Sequence, residues 1–162
     1  MNETKKKIWT PERSVTLSLV MSWVVAAGIV FGMVAAPFLV PRWFTFHYAV
    51  ENTQLVFTSY MRTVIAAFYI CCPAGLCCIA ALIRLLSDIR KDIVFTPKNV
   101  LRLRILSWCC FYVAAVTLAA FFFYPPFILV FAASGFFGLI LRVVKNVMAK
   151  ATELKDENDL TI

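Results

Sequence analysis

The amino-acid sequence predicts an all-α protein, a bundle of four transmembrane helices formed by one integral membrane domain, residues 1–162. Hydrophobic residues make up 62% of the chain and charged residues 15%, whereas soluble domains hold about 45–50% and about 25%. Three stretches carry no charged residue, namely 14–41, 63–83 and 105–141. Because about 20 apolar residues cross a bilayer as a helix, each stretch is long enough for at least one span.

Span one is predicted over about residues 14–39. Thr10 and Pro11 precede it and are typical of a helix start, with threonine as the cap and proline at the first helical position. Pro37 and Pro41 are expected to end the span, because proline lacks a backbone N–H. The uncharged stretch is far longer than the roughly 7–15 residues of a signal-peptide core, which favours a retained span over a cleaved leader.

Span two is predicted over about residues 57–83, after an outer segment at 40–56. The outer segment contains a cluster of aromatic residues, which suits the headgroup level of a membrane. His47, the only histidine in the chain, lies in this cluster. The pattern favours an interfacial histidine over a metal ligand.

The third uncharged stretch predicts two spans joined by a tight turn. Tyr124, Pro125 and Pro126 lie near its middle, and consecutive prolines remove two backbone donors and disfavour helix at the preceding residue. We therefore predict span three over about residues 100–124 and span four over about 127–148. The alternative is one buried, kinked helix.

The distribution of lysine and arginine predicts the side on which each segment lies. With four spans, the N-terminal arm, an inner segment at 84–99 with the start of span three, and a tail at 149–162 with the end of span four share one side. That side holds 14 of the 16 basic residues, and Arg42 and Arg62 remain on the other. Because cytoplasmic loops are enriched in lysine and arginine, we predict a multi-pass protein of the inner (plasma) membrane with both termini cytoplasmic.

The residues available for chemistry favour a non-enzymatic protein without a cofactor. No glycine-rich phosphate loop occurs, and the spans contain no carboxylate or cation of the kind that ion-coupled transporters place near mid-membrane. The net charge is +7, but the basic residues flank the spans in short clusters. This pattern favours contact with anionic lipids at the inner face over direct contact with nucleic acid.

Six cysteines lie in the predicted spans. The run CCPAGLCC occupies residues 71–78 in the middle of span two, and Cys109 and Cys110 lie near the inner end of span three. They are therefore expected to match the deeper pair of the run poorly in depth. Zinc needs converging, deprotonated thiolates, which are costly in hydrocarbon. We interpret the cysteines as small apolar packing residues and predict no metal site.

Small residues four positions apart occur in two spans: Gly28 and Gly32 in span one, Ser134 and Gly138 in span four. This spacing lets helix backbones approach closely in lipid. It favours packing within the bundle, and a contact between copies in a homo-oligomer is the alternative.

Short β-forming runs at 93–95 and at the C-terminal end give a further hypothesis: residues 93–95 pair with 159–162 as strands on the inner face.

Two regions of the chain carry a resemblance to a known family. They are Leu85-Leu86-x-x-Ile89 with Val94-Phe95-Thr96-Pro97-x-Asn99-Val100-x-x-Leu103-Arg104, and the terminal Glu157-Asn158-Asp159-Leu160-Thr161-Ile162. Together they resemble the YoaS-like family of small four-span bacterial membrane proteins, a domain of unknown function. Pro97, where an acid is frequent, and the cysteine run depart from the family pattern. The resemblance implies a membrane protein that acts with a cytoplasmic helix-turn-helix regulator.

These observations predict an interaction or regulatory protein that works through its cytoplasmic face. The alternative is a small transporter, or a membrane-stress or immunity factor, that acts through the helix bundle. The residues predicted to form a structural or partner site on the inner face are Asp88, Arg90, Phe95, Thr96, Asn99, Leu103, Arg104, Glu157, Asn158 and Asp159.

Overall fold

The computed structural model describes residues 11–48, 54–91 and 93–159. Its four helices are α1 (Pro11–Tyr48), α2 (Gln54–Arg90), α3 (Pro97–Phe121) and α4 (Phe127–Asp159). Each helix is long and apolar enough to cross a membrane, and no strand occurs in the described ranges. The predicted all-α bundle of four transmembrane helices is confirmed, and the chain is a multi-pass membrane protein.

Consecutive helices pack side by side. α2 contacts α1 and α3, and α3 also contacts α4. We call the end of the bundle that holds the α2–α3 connection the basic end. The end that holds the α3–α4 turn, residues 122–126, is the hairpin end. A group of buried apolar side chains lies toward the basic end, where α2 and α3 contribute Ala81, Leu85, Leu103 and Leu106, and the partly buried Leu141 and Met148 of α4 pack against them.

α1 continues through both of its prolines and ends at Tyr48, so the prediction that Pro37 and Pro41 end the helix is wrong. Pro37 leaves the carbonyl of Met33 without its helical N–H donor. The hydroxyl of Tyr69 in α2 donates to that carbonyl instead, at 2.6 Å. A neighbouring helix therefore replaces the missing hydrogen bond, which is how proline is tolerated inside membrane helices.

The helices also extend beyond the other predicted boundaries. α1 contains residues 40–48 of the predicted outer segment, α2 contains 84–90 of the inner segment, and α4 contains 149–159 of the predicted tail. The outer connection is thereby reduced to residues 49–53, which lie outside the described residues together with the side chain of His47.

The α3–α4 turn is organised around Tyr124. Its backbone N–H donates to the carbonyl of Ala120 at 2.9 Å, and its own carbonyl accepts from the N–H of Phe127 at 3.1 Å. Its ring lies 6.0 Å from that of Phe44 in α1 and 5.5 Å from that of Tyr60 in α2, measured between centroids. This turn confirms the predicted helical hairpin and brings four helices together at the hairpin end.

The predicted strand pairing is wrong for the residues that can be compared. Residues 93–95 form an irregular connection, and Asp159 is helical as the last residue of α4. The carbonyls of Ile93 and Val94 accept hydrogen bonds from the side chain of Asn99, so they are already satisfied without a strand partner. Residues 160–162 of the hypothesis lie outside the described residues.

Two of the four small residues lie where helices approach closely. A β-carbon added at Gly32 would lie 3.2 Å from a phenylalanine ring of α2, and one added at Gly138 would lie 3.1 Å from a phenylalanine ring of α3. At Gly28, no described atom of a neighbouring helix lies within 4 Å. Ser134 is half-buried, and its hydroxyl donates to a carbonyl of its own helix at 2.7 Å.

The two cysteine groups meet across α2 and α3. The thiol of Cys78 lies beside that of Cys110, and the thiol of Cys77 lies beside that of Cys109. The antiparallel register of α2 and α3 thus places Cys77 and Cys78, the second pair of the run, opposite the cysteines of α3. All six cysteines are free thiols, and within the described ranges no three metal-ligating side chains are grouped so that they could hold an ion.

Candidate functional site

Asn99 is the only large side chain in the described part of the chain that is fully buried. It lies in the first turn of α3, which begins at Pro97 after Thr96 in an extended conformation. Its amide nitrogen donates to the carbonyl of Ile93 at 2.8 Å and to that of Val94 at 3.0 Å. A buried amide without partners costs about 1–3 kcal/mol, and these bonds remove that cost while holding the α2–α3 connection in place.

Arg102 extends the same network to α2. Its Nη1 atom donates to Oδ1 of Asn99 at 2.7 Å, to the carbonyl of Arg84 at 3.1 Å and to the carboxylate of Asp88. The side chains of Arg102 and Asp88 are only 21% and 23% exposed, so solvent weakens this ion pair less than it would an exposed pair. A cation near the last turn of α2 also interacts favourably with the helix dipole.

Backbone hydrogen bonds to Asp88 also terminate α2. The carbonyl of Asp88 accepts hydrogen bonds from the N–H groups of Lys91 and Ile93, each at 3.0 Å. Asp88, Asn99 and Arg102, called the polar clamp below, thus fix the end of α2, the connection and the start of α3 as one unit. The clamp can therefore hold the surface around the α2–α3 connection in a defined position.

Thr96 contributes its backbone rather than its side chain. It has the extended geometry of an N-cap, with φ −140° and ψ 144°, but its hydroxyl makes no capping bond. That hydroxyl oxygen is buried and has no hydrogen-bond partner among the described residues. The N-terminus of α3 therefore lacks the side-chain capping bond that a threonine at this position can provide.

A groove lies beside the clamp, between the start of α3 and the end of α4. Its volume is about 400 Å³, and three of its lining residues are acidic: it is lined by Pro97, Val100, Ala149, Thr152, Glu153, Asp156 and Glu157. Thr152 is buried, and its hydroxyl donates to the carbonyl of Met148 at 2.9 Å. The side chains of Glu153, Asp156 and Glu157 are exposed. This acidic groove therefore combines an apolar floor, made by its proline, valine and alanine, with a negatively charged rim.

The structure brings some of the predicted site residues together and separates others. Asp88 and Asn99 meet in the clamp, and Leu103 packs in the adjacent core. Glu157 lines the acidic groove on α4. Arg104 instead faces a different cavity, beside Trp108.

The other predicted residues have no place in the clamp or the groove lining. Arg90, Phe95 and Asn158 are exposed, and the side chain of Asp159 lies outside the described residues. Arg102 and Thr152 were missed by the prediction. For Arg102, the i, i+3 spacing from Asn99 was the available signal.

Comparison with known proteins identifies a family. The family described as "Protein of unknown function (DUF2975)" matches residues 34–162, a range that contains the whole of α2, α3 and α4 and therefore both the clamp and the groove. No curated protein matches the chain, and no solved structure matches it.

Proposed function

The chain belongs to the DUF2975 family, and we propose that it is a non-enzymatic membrane protein that binds a cytoplasmic partner at its basic end. The observation that carries the proposal is the acidic groove, which lies beside the polar clamp. α4 continues from Arg142, where its uncharged stretch ends, to Asp159, a rise of about 25 Å. The groove is therefore presented beyond the hydrocarbon region, where a soluble partner can reach it.

The chemistry of the groove specifies the kind of partner. Glu153 and Asp156 give it a negative rim, while Pro97, Val100 and Ala149 give it an apolar floor. An amphipathic helix with basic residues flanking an apolar stripe fits such a groove. A helix-turn-helix regulator, which the YoaS-like resemblance implies, carries basic residues for its contacts with DNA phosphates, and capture through them would keep it from DNA.

The proposed orientation follows from charge. The side that includes the basic end holds 14 of the 16 lysine and arginine residues, and short cytoplasmic segments are enriched in these residues. The proposal therefore places the basic end, and with it both termini, in the cytoplasm of a cell whose plasma membrane holds the bundle.

The hydroxyl groups within the spans support this function over transport through the bundle. Those of Ser22, Thr63, Thr117 and Ser134 each donate to a backbone carbonyl of their own helix, at 2.7–2.9 Å. Their donor protons are thus used within their own helices, and the uncharged stretches offer no carboxylate or cation of the kind that ion-coupled transporters place near mid-membrane.

The test is co-purification from native membranes, followed by measurement of binding to the partner so identified. The variant Glu153→Gln with Asp156→Asn removes two rim charges without changing side-chain size. Exposed charge pairs contribute roughly 0.2–1 kcal/mol each, so the expected loss of affinity is between about twofold and thirtyfold.

Lys155→Gln supplies the matched control, because Lys155 is exposed on the same helix and does not line the groove. It should bind the partner at least as well as the original chain. The proposal fails if no soluble protein co-purifies, or if the control and the groove variant lose affinity equally.

A further inference from the structure

A second cavity at the basic end also lies between α3 and α4, closer to the hairpin end than the acidic groove. It has a volume of about 280 Å³ and is lined by Arg104, Ser107, Trp108, Arg142 and Lys145. Its lining within the described residues contains three cations and no carboxylate. Three like charges around one small cavity repel one another, and an anion placed between them relieves that repulsion. The lining is therefore complementary to an anion.

The depth of the cavity in the membrane indicates the source of that anion. Arg104 and Arg142 bound the uncharged stretch 105–141. Along their helices they are separated from Pro125, in the hairpin turn, by rises of about 30 Å and 25 Å, close to the thickness of about 30 Å of a hydrocarbon core. With the turn at one membrane surface, the cavity lies at the level of the lipid phosphates on the other.

We propose that this cavity binds the phosphate headgroup of one anionic phospholipid. The guanidinium groups of Arg104 and Arg142 present paired N–H donors to phosphate oxygens, and Lys145 adds a third charge. The volume is near the lower end of the roughly 300–1,000 Å³ typical of small-molecule sites, so it accommodates a headgroup and leaves the acyl chains outside.

The surface of α3 that runs from the cavity toward the hairpin end can accommodate the acyl chains of the lipid. Ile105, Trp108 and Tyr112 are exposed and recur at i, i+3 and i+7 on α3, which gives one apolar stripe along the helix. Trp108 is 60% exposed, and an indole at headgroup depth is typical of membrane interfaces. An acyl chain can therefore follow the stripe from a headgroup held in the cavity. This inference does not depend on the cytoplasmic partner proposed above.

The test measures lipid retention by the purified full-length chain. The chain is placed in nanodiscs of phosphatidylcholine with a small fraction of phosphatidylglycerol, extracted in mild detergent and analysed by native mass spectrometry. One phosphatidylglycerol is expected to remain bound per chain. In Arg104→Gln with Arg142→Gln, its affinity should fall about 25-fold, the product of two roughly fivefold losses.

The matched control is Arg90→Gln with Lys98→Gln, which removes the same charge from exposed residues of the basic end that do not line the cavity. It should retain the lipid. An equal loss in the control, or equal retention of phosphatidylcholine by the original chain, overturns the proposal. Release of the lipid by inorganic phosphate at equal concentration also overturns it, since the site would then prefer a soluble anion.

A second substitution keeps the test decisive if the double variant does not fold, as judged by its helical circular dichroism. Lys145→Gln should lower the affinity for phosphatidylglycerol about fivefold, whereas Lys98→Gln should leave it unchanged. Equal affinities in these two single variants would overturn the proposal.

Discussion

The amide of Asn99 has a partner for each of its polar atoms: its nitrogen donates to two carbonyls of the α2–α3 connection, and its oxygen accepts from Arg102. The sequence predicted Asn99 and Arg104 as members of one inner-face site. At the scale of the residue they differ, because Asn99 is fully buried while Arg104 is exposed and faces another cavity.

Asn99→Ala should therefore destabilise the bundle much more than Arg104→Ala. The first change leaves the carbonyls of Ile93 and Val94 without these donors, and Arg102 without one of its acceptors. Three partly buried hydrogen bonds are lost, and one such bond contributes about 1 kcal/mol net, so the free energy of unfolding should fall by roughly 3 kcal/mol. Arg104→Ala should change it by less than about 0.5 kcal/mol, as is usual for surface positions.

Unfolding in mixed micelles titrated with dodecyl sulfate measures both values. Asn99→Asp is an informative third variant, because it keeps the size of the side chain and an acceptor for Arg102 but lacks the amide donors. Equal destabilisation by the alanine changes at Asn99 and Arg104 would contradict the role assigned to the polar clamp.

At the scale of the element, α1 illustrates how a local rule can be overridden by a neighbour. Pro37 removes a helical hydrogen bond, and that rule predicted a helix end. Tyr69, 32 residues further along the chain, supplies the replacement donor at 2.6 Å. The sequence contains both residues, but nothing in their spacing indicates that they meet, since this depends on the register between α1 and α2.

This contact predicts a specific dependence between two positions. Tyr69→Phe should lower the free energy of unfolding by about 1 kcal/mol, the usual net contribution of one hydrogen bond. Pro37→Ala restores an N–H to the carbonyl of Met33, so in that background the same change at Tyr69 should have little effect. A double-mutant cycle in the same micelle titration gives the coupling; full additivity of the two changes would show that the hydroxyl does not replace the missing donor.

At the scale of the whole molecule, two cavities of opposite charge lie between α3 and α4 at the basic end: the acidic groove and the cationic cavity. They are lined by different residues of the same two helices. The acidic groove is the proposed site for a soluble basic partner, and the cationic cavity is the proposed site for a lipid phosphate. Both proposals place the basic end on the cytoplasmic side of the membrane.

The proposed orientation predicts the behaviour of fusion proteins. Green fluorescent protein joined after Ile162 should fluoresce, and alkaline phosphatase joined there should be inactive, because the first folds in the cytoplasm and the second needs an oxidising compartment for its disulfides. Alkaline phosphatase joined after Tyr124, in the hairpin turn, should be active. The opposite pattern would place the acidic groove outside the cell and exclude a cytoplasmic regulator as its partner.

The number of helices and the hairpin could be predicted from the amino-acid sequence, because uncharged stretches and consecutive prolines act through the local chemistry of the chain in lipid. It also indicated Asp88 and Asn99. Three features could be seen only in the packed helices: α1 passes through Pro37, the cysteines of α2 and α3 meet, and Arg102 joins the clamp while Arg104 does not. The first two depend on the register between antiparallel helices, which is set by side-chain packing across the interface and leaves no periodic signal in the sequence. For Arg102 the i, i+3 spacing from Asn99 was a signal, but its contact with Asp88 depends on how α3 is rotated against α2.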